Sequence, residues 1–460
     1  MKRLKFKGLL QNDEWVTPAF VSINAEGKIV DISTKEGDVK IDEVINGYAI
    51  PGFQNAHSHA FQYAMSGLAE IHSDPTLDDD FWSWRNTMYN IALSVDPEHV
   101  EAIASMLYSE MLRHGYTSVA EFHYLHHDKD GKPYSNKSEL GERLIAAASK
   151  TGMKITLVPM FYQKGGFGKI PDSNQRRFIS SSVEEYGILL EASLKSTKHY
   201  AGANLGMGIH SLRAVEANDI KEAIESLGIN KPIHFHVSEQ LKEIEDCLVH
   251  LKARPVEWLL NNLELNDTYH LVHATHVNDY EVKGMANSKA NVVLCPSTEG
   301  NLGDGLFPLK SFQNAGGKWS IGTDSHIGLN PLEELRILDY GQRLITHKRN
   351  QFISKDLGNA GHYGFDMSLK TGRLAMGNTT QKYFEVGSDF DAVVFKADLP
   401  LLSTCGLDKI LPTLVYSGDV SWVKGTMTQG KWVVKDQRHI HNQKIVEDFA
   451  KTIKAIGIRV

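Results

Sequence analysis

The sequence has little cysteine, no long apolar run and no excess of basic residues, and each shortage excludes a class of protein. Its 3 cysteines share no CxxC spacing and cannot build a disulfide framework, which favours a reducing cytoplasm. No stretch approaches the roughly 18 apolar residues of a membrane-spanning helix, and none resembles a signal peptide. The net charge of −7 offers no basic footprint for nucleic acid. We therefore expect a cytoplasmic protein that binds neither membranes nor nucleic acid.

The chain has enough apolar material for one large core and a smaller second domain. It is 460 residues long and 42% hydrophobic, which argues against disorder. Residues 1–50 predict short strands with turns, and within them "FVSINAEGKIVDIST" alternates apolar and polar residues around a Glu26-Gly27 turn, which indicates a hairpin. Near the other end, "DFDAVVFKAD" and "KWVVKD" show the same pattern. The two β-rich ends, 1–50 and 379–460, predict one small β-sandwich domain built from both.

The middle of the chain, residues 51–378, alternates apolar β-rich runs with amphipathic helical stretches. Eight runs are strand candidates: "AIPGFQNAHSHA", "GYTSVAEFHYL", "KITLVPMFY", "LGMGIHSLRA", "PIHFHVSE", "YHLVHATHV", "NVVLCPST" and "WSIGTDSH". Eight strands that alternate with helices predict an α/β fold of the (β/α)₈ barrel type. The count alone also allows an open doubly wound sheet.

The strongest local signal for chemistry is His57-Ser58-His59, which follows Pro51-Gly52 at the end of the first strand candidate. On a strand, residues two apart point to the same face, so the two imidazoles form half of a metal site. Taken alone, the pair is equally compatible with two solvated surface histidines.

A second signal lies in "HFHVSE", at the end of the fifth strand candidate. His234 and His236 share a face, and His236 is nearer the carboxyl end, where barrel enzymes build their sites. We therefore interpret His236 as the ligand candidate and His234 as a packed barrel residue. Glu239 follows three residues later and could reach over a metal-bound water.

Two further strand candidates also end on residues that bind metals. In "LVHATH" either His273 or His276 ends the sixth strand, and in "IGTDSH" Asp324 ends the eighth. Four strand ends that converge on imidazoles and a carboxylate are hard to explain by packing, because buried polar groups must be paired. Three imidazoles with one carboxylate suit Zn²⁺ or a similar ion, with an open position for water. Such an ion lowers the pKa of that water toward neutrality.

These motifs together resemble the amidohydrolase superfamily, in its mononuclear deaminase branch. The resemblance rests on "PGFQNAHSHAFQ", "HFHVSE", "LVHATH" and "GTDSH" and extends over nearly the whole chain. More narrowly, "FWSWRNTMY", "GYTSVAEFHYLHHD" and "GIHSLRAV" resemble the formimidoylglutamate deiminases of bacterial histidine degradation. That resemblance implies a homodimer whose substrate is a small molecule, N-formimidoyl-L-glutamate.

The resemblance also implies roles for individual residues. It assigns the metal to His57, His59, His236 and Asp324, acid–base chemistry to Glu239, His273 and Asp324, and substrate binding to Gln62, Arg85, Tyr124, His210 and Arg213. Dinuclear relatives carry a bridging lysine at the end of the fourth strand, whereas "GIHSLRA" has none. One divalent ion, with zinc as the expected metal, is therefore implied.

The residue types agree with a substrate that has two carboxylates. Arg85 and Arg213 carry the planar fork that pairs with a carboxylate. Without the resemblance, Arg85 would be interpreted as an arginine on a helix surface. A nucleobase deaminase would instead present stacking aromatics and amide-like groups.

Two alternatives to this hypothesis stay open. One is another aminohydrolase of the same superfamily that acts on a guanine-like or pterin-like ring. The other is a barrel that binds metal but is catalytically inactive, which the presence of both Glu239 and His273 argues against.

Overall fold

Two β-sheets carry the fold in the computed structural model, which describes residues 1–70, 81–228, 230–354 and 358–459, without the side chains of residues 81–83. The strands are β1 (Lys2–Gln11), β2 (Glu14–Val16), β3 (Ala19–Ile23), β4 (Ile29–Ser33), β5 (Glu43–Pro51), β6 (Phe53–Ser58), β7 (Tyr116–His123), β8 (Lys154–Phe161), β9 (Ala203–Leu205), β10 (Met207–Ile209), β11 (Ile233–Val237), β12 (Tyr269–His273), β13 (Asn291–Leu294), β14 (Trp319–Ile321), β15 (Ala392–Lys396), β16 (Val423–Thr428), β17 (Lys431–Lys435) and β18 (Arg438–His439).

Helices alternate with the barrel strands along the chain, and further helices lie in its C-terminal part. They are α1 (Phe81–Ser94), α2 (Pro97–Arg113), α3 (Glu139–Thr151), α4 (Val183–Thr197), α5 (Ala217–Leu227), α6 (Leu241–Leu251), α7 (Pro255–Asn262), α8 (Asp279–Ser288), α9 (Pro296–Leu302), α10 (Leu309–Asn314), α11 (Pro331–Thr346), α12 (Ala360–Ala375), α13 (Pro400–Ser403), α14 (Ile410–Ser417) and α15 (Asn442–Ile456). Four short 3₁₀ helices span Ala60–Met65, Ser173–Gln175, Leu407–Lys409 and Val420–Trp422 in the described part of the chain.

Several helices begin where the sequence carries a start signal. In α2, Asp96 and His99 form a capping box ahead of Pro97 at the first helical position. In α8, the side chain of Asn278 accepts a hydrogen bond from the backbone N–H of Glu281. Each cap satisfies backbone donors that the first helical turn leaves without partners. None of the helices in the described part of the chain is long and apolar enough to cross a bilayer.

The barrel sheet runs β6-β7-β8-β10-β11-β12-β13-β14 with every neighbouring pair parallel, and β9 extends the sheet beside β8. It closes between its first and last strands, because the N–H of Thr323 donates to the carbonyl of His57 at 3.0 Å. The N–H of His59 likewise donates to the carbonyl of Asp324 at 3.2 Å. Closure rules out the open doubly wound sheet and confirms the predicted barrel.

The second sheet joins the two ends of the chain in the order β18-β17-β16-β15-β5-β1-β3-β4, with β2 beside β1. The antiparallel pair β5–β15 is the seam, in which Pro51 lies opposite Ala392. The β1–β5 pair is parallel, and the predicted hairpin around Gly27 forms between β3 and β4. A β domain made from both chain ends is therefore confirmed. Its boundaries at 50/51 and 378/379 stay a prediction.

Candidate active site

The carboxyl ends of the barrel strands bring the candidate residues together. His57 is the penultimate residue of β6, His59 follows that strand, and His236 is the penultimate residue of β11. His273 ends β12, and Asp324 lies three residues after β14. All five side chains are buried. The side chains predicted from four separate segments thus share one site at the face where barrel enzymes place their chemistry.

Potential ligand atoms of five side chains lie close to one shared point, as two clusters that both contain His57: one with His59 and Asp324, the other with His236 and His273. The Nε2 atom of His57 lies 3.1 Å from Nε2 of His236 and 3.3 Å from Oδ1 of Asp324. The Nε2 atom of His59 lies 3.4 Å from the same Oδ1. Ligand bonds of about 2.1 Å in a tetrahedral zinc site place neighbouring donors roughly 3.4 Å apart. These three distances match that spacing, and three imidazoles with one carboxylate are donors that suit one divalent ion.

The protonation states also suit an ion. Burial lowers the pKa of His57, His59 and His236, which keeps the imidazoles neutral, the form that binds a cation. Backbone carbonyls fix the tautomer of two of them. Nδ1 of His59 lies 3.1 Å from the carbonyl of Phe122, and Nδ1 of His236 lies 3.0 Å from the carbonyl of His210. Each ring therefore presents Nε2 with its lone pair toward the shared point.

His273 differs from the other imidazoles because carboxylates surround it. Its Nδ1 lies 3.2 Å from Glu299, and its Nε2 lies 3.8 Å from Glu239 and 3.7 Å from Oδ2 of Asp324. Burial lowers the pKa of His273, but these three carboxylates outweigh it and raise the pKa to about 10. The structure also decides between the two histidines of "LVHATH", because His273 joins the cluster of potential ligand groups with His57 and His236.

Glu239 faces the same point from the loop after β11. Its second oxygen lies 3.6 Å from Nη2 of Arg213, so the carboxylate stands between Arg213 and His273. Burial raises the pKa of Glu239, while the charges of His273 and Arg213 oppose that rise. The carboxylate of Glu243 accepts hydrogen bonds from the backbone N–H groups of Ser238 and Glu239 and so holds this loop in place.

The backbone is strained where the strands end at the site. Five residues other than glycine adopt left-handed conformations there: Ser238 (φ 54°), His273 (φ 67°), Ala274 (φ 49°), Asp324 (φ 46°) and His326 (φ 63°). Such conformations cost on the order of 1 kcal/mol or more each and cluster at functional sites. Here they turn the chain so that the side chains of His273 and Asp324 enter the barrel mouth.

The five residues predicted to bind substrate line one cavity with these groups. The cavity is lined by Gln62, Arg85, Tyr124, His210 and Arg213 together with His59, His236, Glu239, His273 and Asp324. The side-chain amide of Gln62 donates to the hydroxyl of Tyr124 at 2.7 Å. Arg85 stacks over Tyr89 with its guanidinium carbon 5.4 Å from the ring centre. Arg85 therefore lines the cavity, and the interpretation as a helix-surface residue is not needed.

The cavity continues outward past three of the residues predicted to bind substrate. Arg85, Tyr162, His210 and Arg213 line both this cavity and an outer one that reaches Lys164 and Lys242. A substrate that enters from the outer cavity must pass both arginines before it reaches the buried cluster.

Some residues of the site were not singled out in the sequence. Tyr89, Tyr162 and Phe178 line the cavity, and Glu299 contacts His273. The aromatic residues carry no signal that separates them from core residues. Glu121, which lies on β7 and does not line the cavity, could have been noticed in the sequence. A carboxylate in the middle of an apolar strand, "TSVAEFHY", must find partners inside the protein.

The two histidines of the Ile233–Val237 strand have different partners. His234 is fully buried, and its Nε2 lies 3.0 Å from the carbonyl of Ala375, away from the cluster. It is a packed barrel residue, as the position of His236 nearer the carboxyl end predicts.

Sequence comparison finds relatives over most of the chain. Residues 48–433 match the amidohydrolase family. The formimidoylglutamate deiminase of Pseudomonas aeruginosa is 41% identical over 442 residues, which cover 95% of this chain and 96% of that protein.

Two solved structures extend the comparison. The crystal structure of an amidohydrolase from Brucella melitensis superposes with a TM-score of 0.92 at 39% identity and covers 99% of this chain and 100% of that one. An adenosine deaminase from Xanthomonas campestris with bound zinc gives a TM-score of 0.80 at 18% identity, over 99% of this chain and 98% of that one. The second likeness concerns the fold alone.

Proposed function

Because the chain belongs to the amidohydrolase family, we propose that it hydrolyses N-formimidoyl-L-glutamate to N-formyl-L-glutamate and ammonia. Family membership agrees with the resemblance seen in the sequence and makes the protein a hydrolase of a metal-dependent family. The observation that carries the substrate proposal is one cavity that holds both the cluster of metal-type donors and two arginines. The extensive sequence identity of this chain to the deiminase of Pseudomonas aeruginosa supports the same substrate.

The proposed metal site consists of His57, His59, His236 and Asp324 and holds one divalent ion, Zn²⁺. A bound ion supplies Lewis-acid activation of water near neutral pH. A second ion is not proposed, because the end of β10 carries His210 where a bridging lysine would be needed.

The proposed proton transfers use three buried side chains. Asp324 directs Oδ1 to the imidazoles and Oδ2 to His273, so Oδ2 is placed to accept a proton from the attacking water. Glu239 carries a proton to the imino nitrogen, since its pKa is raised and it faces the cavity. His273 stabilises the negative charge that develops on oxygen in the tetrahedral species.

Atoms balance across these steps. The water oxygen adds to the formimidoyl carbon, and the imino nitrogen receives the proton carried by Glu239. The proton that Asp324 took from the water then passes to the same nitrogen, and the carbon–nitrogen bond breaks to release ammonia. The proton of the added hydroxyl returns to Glu239 as the formyl carbon–oxygen double bond forms. Protonation of nitrogen before cleavage makes ammonia a workable leaving group.

The proposed substrate contacts supply orientation rather than chemistry. Arg85 and Arg213 pair with the two carboxylates of the glutamyl part. Gln62, Tyr124 and His210 line the wall nearest the donor cluster and add hydrogen bonds. Fixing both ends of the substrate places the formimidoyl carbon over the donors, which reduces the entropy lost on the way to the transition state.

A panel assay tests the substrate. We expect the zinc-loaded protein to release ammonia from N-formimidoyl-L-glutamate, with one zinc per chain by elemental analysis. Ammonia release from guanine or a pterin instead would support the other aminohydrolase. No turnover of any of them by metal-loaded protein would support the inactive barrel. The homodimer expected from the resemblance is tested on the same sample by light scattering.

A further inference from the structure

A buried carboxylate lies behind the two histidines of β6, outside the cavity. Glu121 is on β7 and only 1% of its surface is exposed. Its Oε2 accepts hydrogen bonds from the hydroxyl of Ser58 at 2.6 Å and of Tyr108 at 3.0 Å. Its Oε1 accepts the backbone N–H of Ala60 at 2.6 Å. The carboxylate therefore binds the residues immediately before and after His59.

The two strands β6 and β7 pair irregularly at this point. Their pairing shifts register between Asn55 and Ser58, and Ser58 lies opposite Glu121. The side chain of Glu121 therefore adds hydrogen bonds to β6 where the ladder is irregular. The next residue, Phe122, offers its carbonyl to Nδ1 of His59 at 3.1 Å. Two consecutive residues of β7 thus fix His59 at its ring and on both flanks.

The same carboxylate also starts the turn that follows. The Ala60–Met65 3₁₀ helix has no side-chain cap from His59, and Glu121 accepts its first N–H instead. That helix carries Gln62, which lines the cavity. Movement of the Ser58–Ala60 flanks would therefore displace both His59 and Gln62.

We propose that Glu121 is a positioning residue that sets the affinity of the metal centre by fixing His59 between Ser58 and Ala60. The inference rests on the proposed metal site. The hydrogen bonds of Glu121 go to Ser58, Ala60 and Tyr108, and Glu121 is not among the described residues that line the cavity. It therefore acts on His59 through the backbone and through Ser58. Groups that orient metal ligands in this way usually contribute about 10- to 100-fold to affinity.

Zinc affinity of the full-length protein tests the proposal. Metal is removed with a chelator, and the apoprotein competes with a chromophoric chelator for Zn²⁺. We expect Glu121→Ala to weaken zinc binding about 10- to 100-fold. Glu121→Gln keeps one acceptor oxygen for the N–H of Ala60 and should weaken binding less. Ser58→Ala removes one of the three donors and should have a small but measurable effect.

Glu334 provides a matched control for the loss of a buried carboxylate. It is also 1% exposed and accepts a serine hydroxyl and a backbone N–H, both from Ser297. Burial raises the pKa of both glutamates to about 8. Glu334→Ala should lower the melting temperature, as Glu121→Ala does, but leave zinc affinity unchanged.

The outcomes distinguish failure of the proposed metal site from failure of the role proposed for Glu121. Wild-type protein that binds no Zn²⁺ would overturn the proposed metal site, and this inference with it. If the wild type binds zinc and Glu121→Ala binds it with the same affinity, only the role of Glu121 is overturned. The same holds if Glu334→Ala loses as much zinc affinity as Glu121→Ala. If neither Glu121 variant folds, Ser58→Ala decides, because an affinity equal to the wild type contradicts the proposal.

Discussion

Replacement of Glu239 by glutamine isolates the proton carrier of the proposed reaction. The amide has the same shape, but it can no longer pass a proton to the imino nitrogen. Glu239 lies 3.6 Å from Nη2 of Arg213 and 3.8 Å from Nε2 of His273, at the centre of the charged wall of the cavity. It is not one of the four donors that converge on the proposed metal position, so zinc should remain bound.

The size of the effect follows from the role. A positioned acid–base group contributes about 10²- to 10⁴-fold to the rate, which corresponds to roughly 3 to 5.5 kcal/mol in the barrier. We therefore expect kcat for N-formimidoyl-L-glutamate to fall by about that factor. KM should change little, because the arginines that bind the carboxylates remain.

The assay measures ammonia release against substrate concentration, with zinc content determined on the same sample. Glu243→Gln is the matched control. Glu243 is also buried, and its substitution removes one negative charge 4.0 Å from Arg213, yet Glu243 does not line the cavity. It should lose less than about tenfold in kcat, because it carries no proton of the reaction. A Glu239→Gln protein with one zinc and nearly wild-type kcat would refute the reasoning.

Three further predictions concern substrate binding, the metal and stability. Arg213→Ala should raise KM by about 10- to 100-fold, the value of one charged hydrogen bond, with a smaller effect on kcat in the same ammonia assay. His236→Ala should lose stoichiometric zinc in elemental analysis, whereas His234→Ala should keep it, because His234 binds the carbonyl of Ala375 instead. Asp389 accepts from Lys28 at 2.9 Å and from Lys154 at 2.6 Å, and although burial raises its pKa, the two lysines lower it below the usual value. This stabilisation is present above the unfolded pKa of about 3.9 and disappears as the pH falls through the lower folded value. Because solvent screens this partly exposed cluster, Asp389→Asn should cost at most about 1 kcal/mol at pH 7 in denaturant titrations, and progressively less as the pH falls below about 3.9.

Much of the architecture was readable because each signal is local. Strand and helix periods, the Glu26-Gly27 turn and the eight apolar runs depend on a few consecutive residues. The placement of His57, His59, His236 and Asp324 at strand ends is local in the same way, and parallel strands bring their carboxyl ends to one face. The resemblance to a known family added the substrate-binding residues, which local patterns alone left as ordinary surface or core positions.

The rest depends on which segments meet in space. Whether the sheet closes is decided by hydrogen bonds between His57 and Thr323, 266 positions apart, which no local pattern encodes. His273, and not His276, ends the sixth strand in the site. Its backbone is left-handed, and its side chain lies beside Glu299 and Glu239.

The amino-acid sequence by itself determined the elements, their alternation along the chain and the candidate donor residues at the strand ends, because these follow from periodicity and side-chain chemistry. Only the tertiary structure decided how Glu121 supports the flanks of His59, how Glu243 holds the loop of Glu239 and how Glu299 contacts His273. These effects require buried hydrogen bonds, and such bonds have a defined partner only after the chain has excluded water and set the distances.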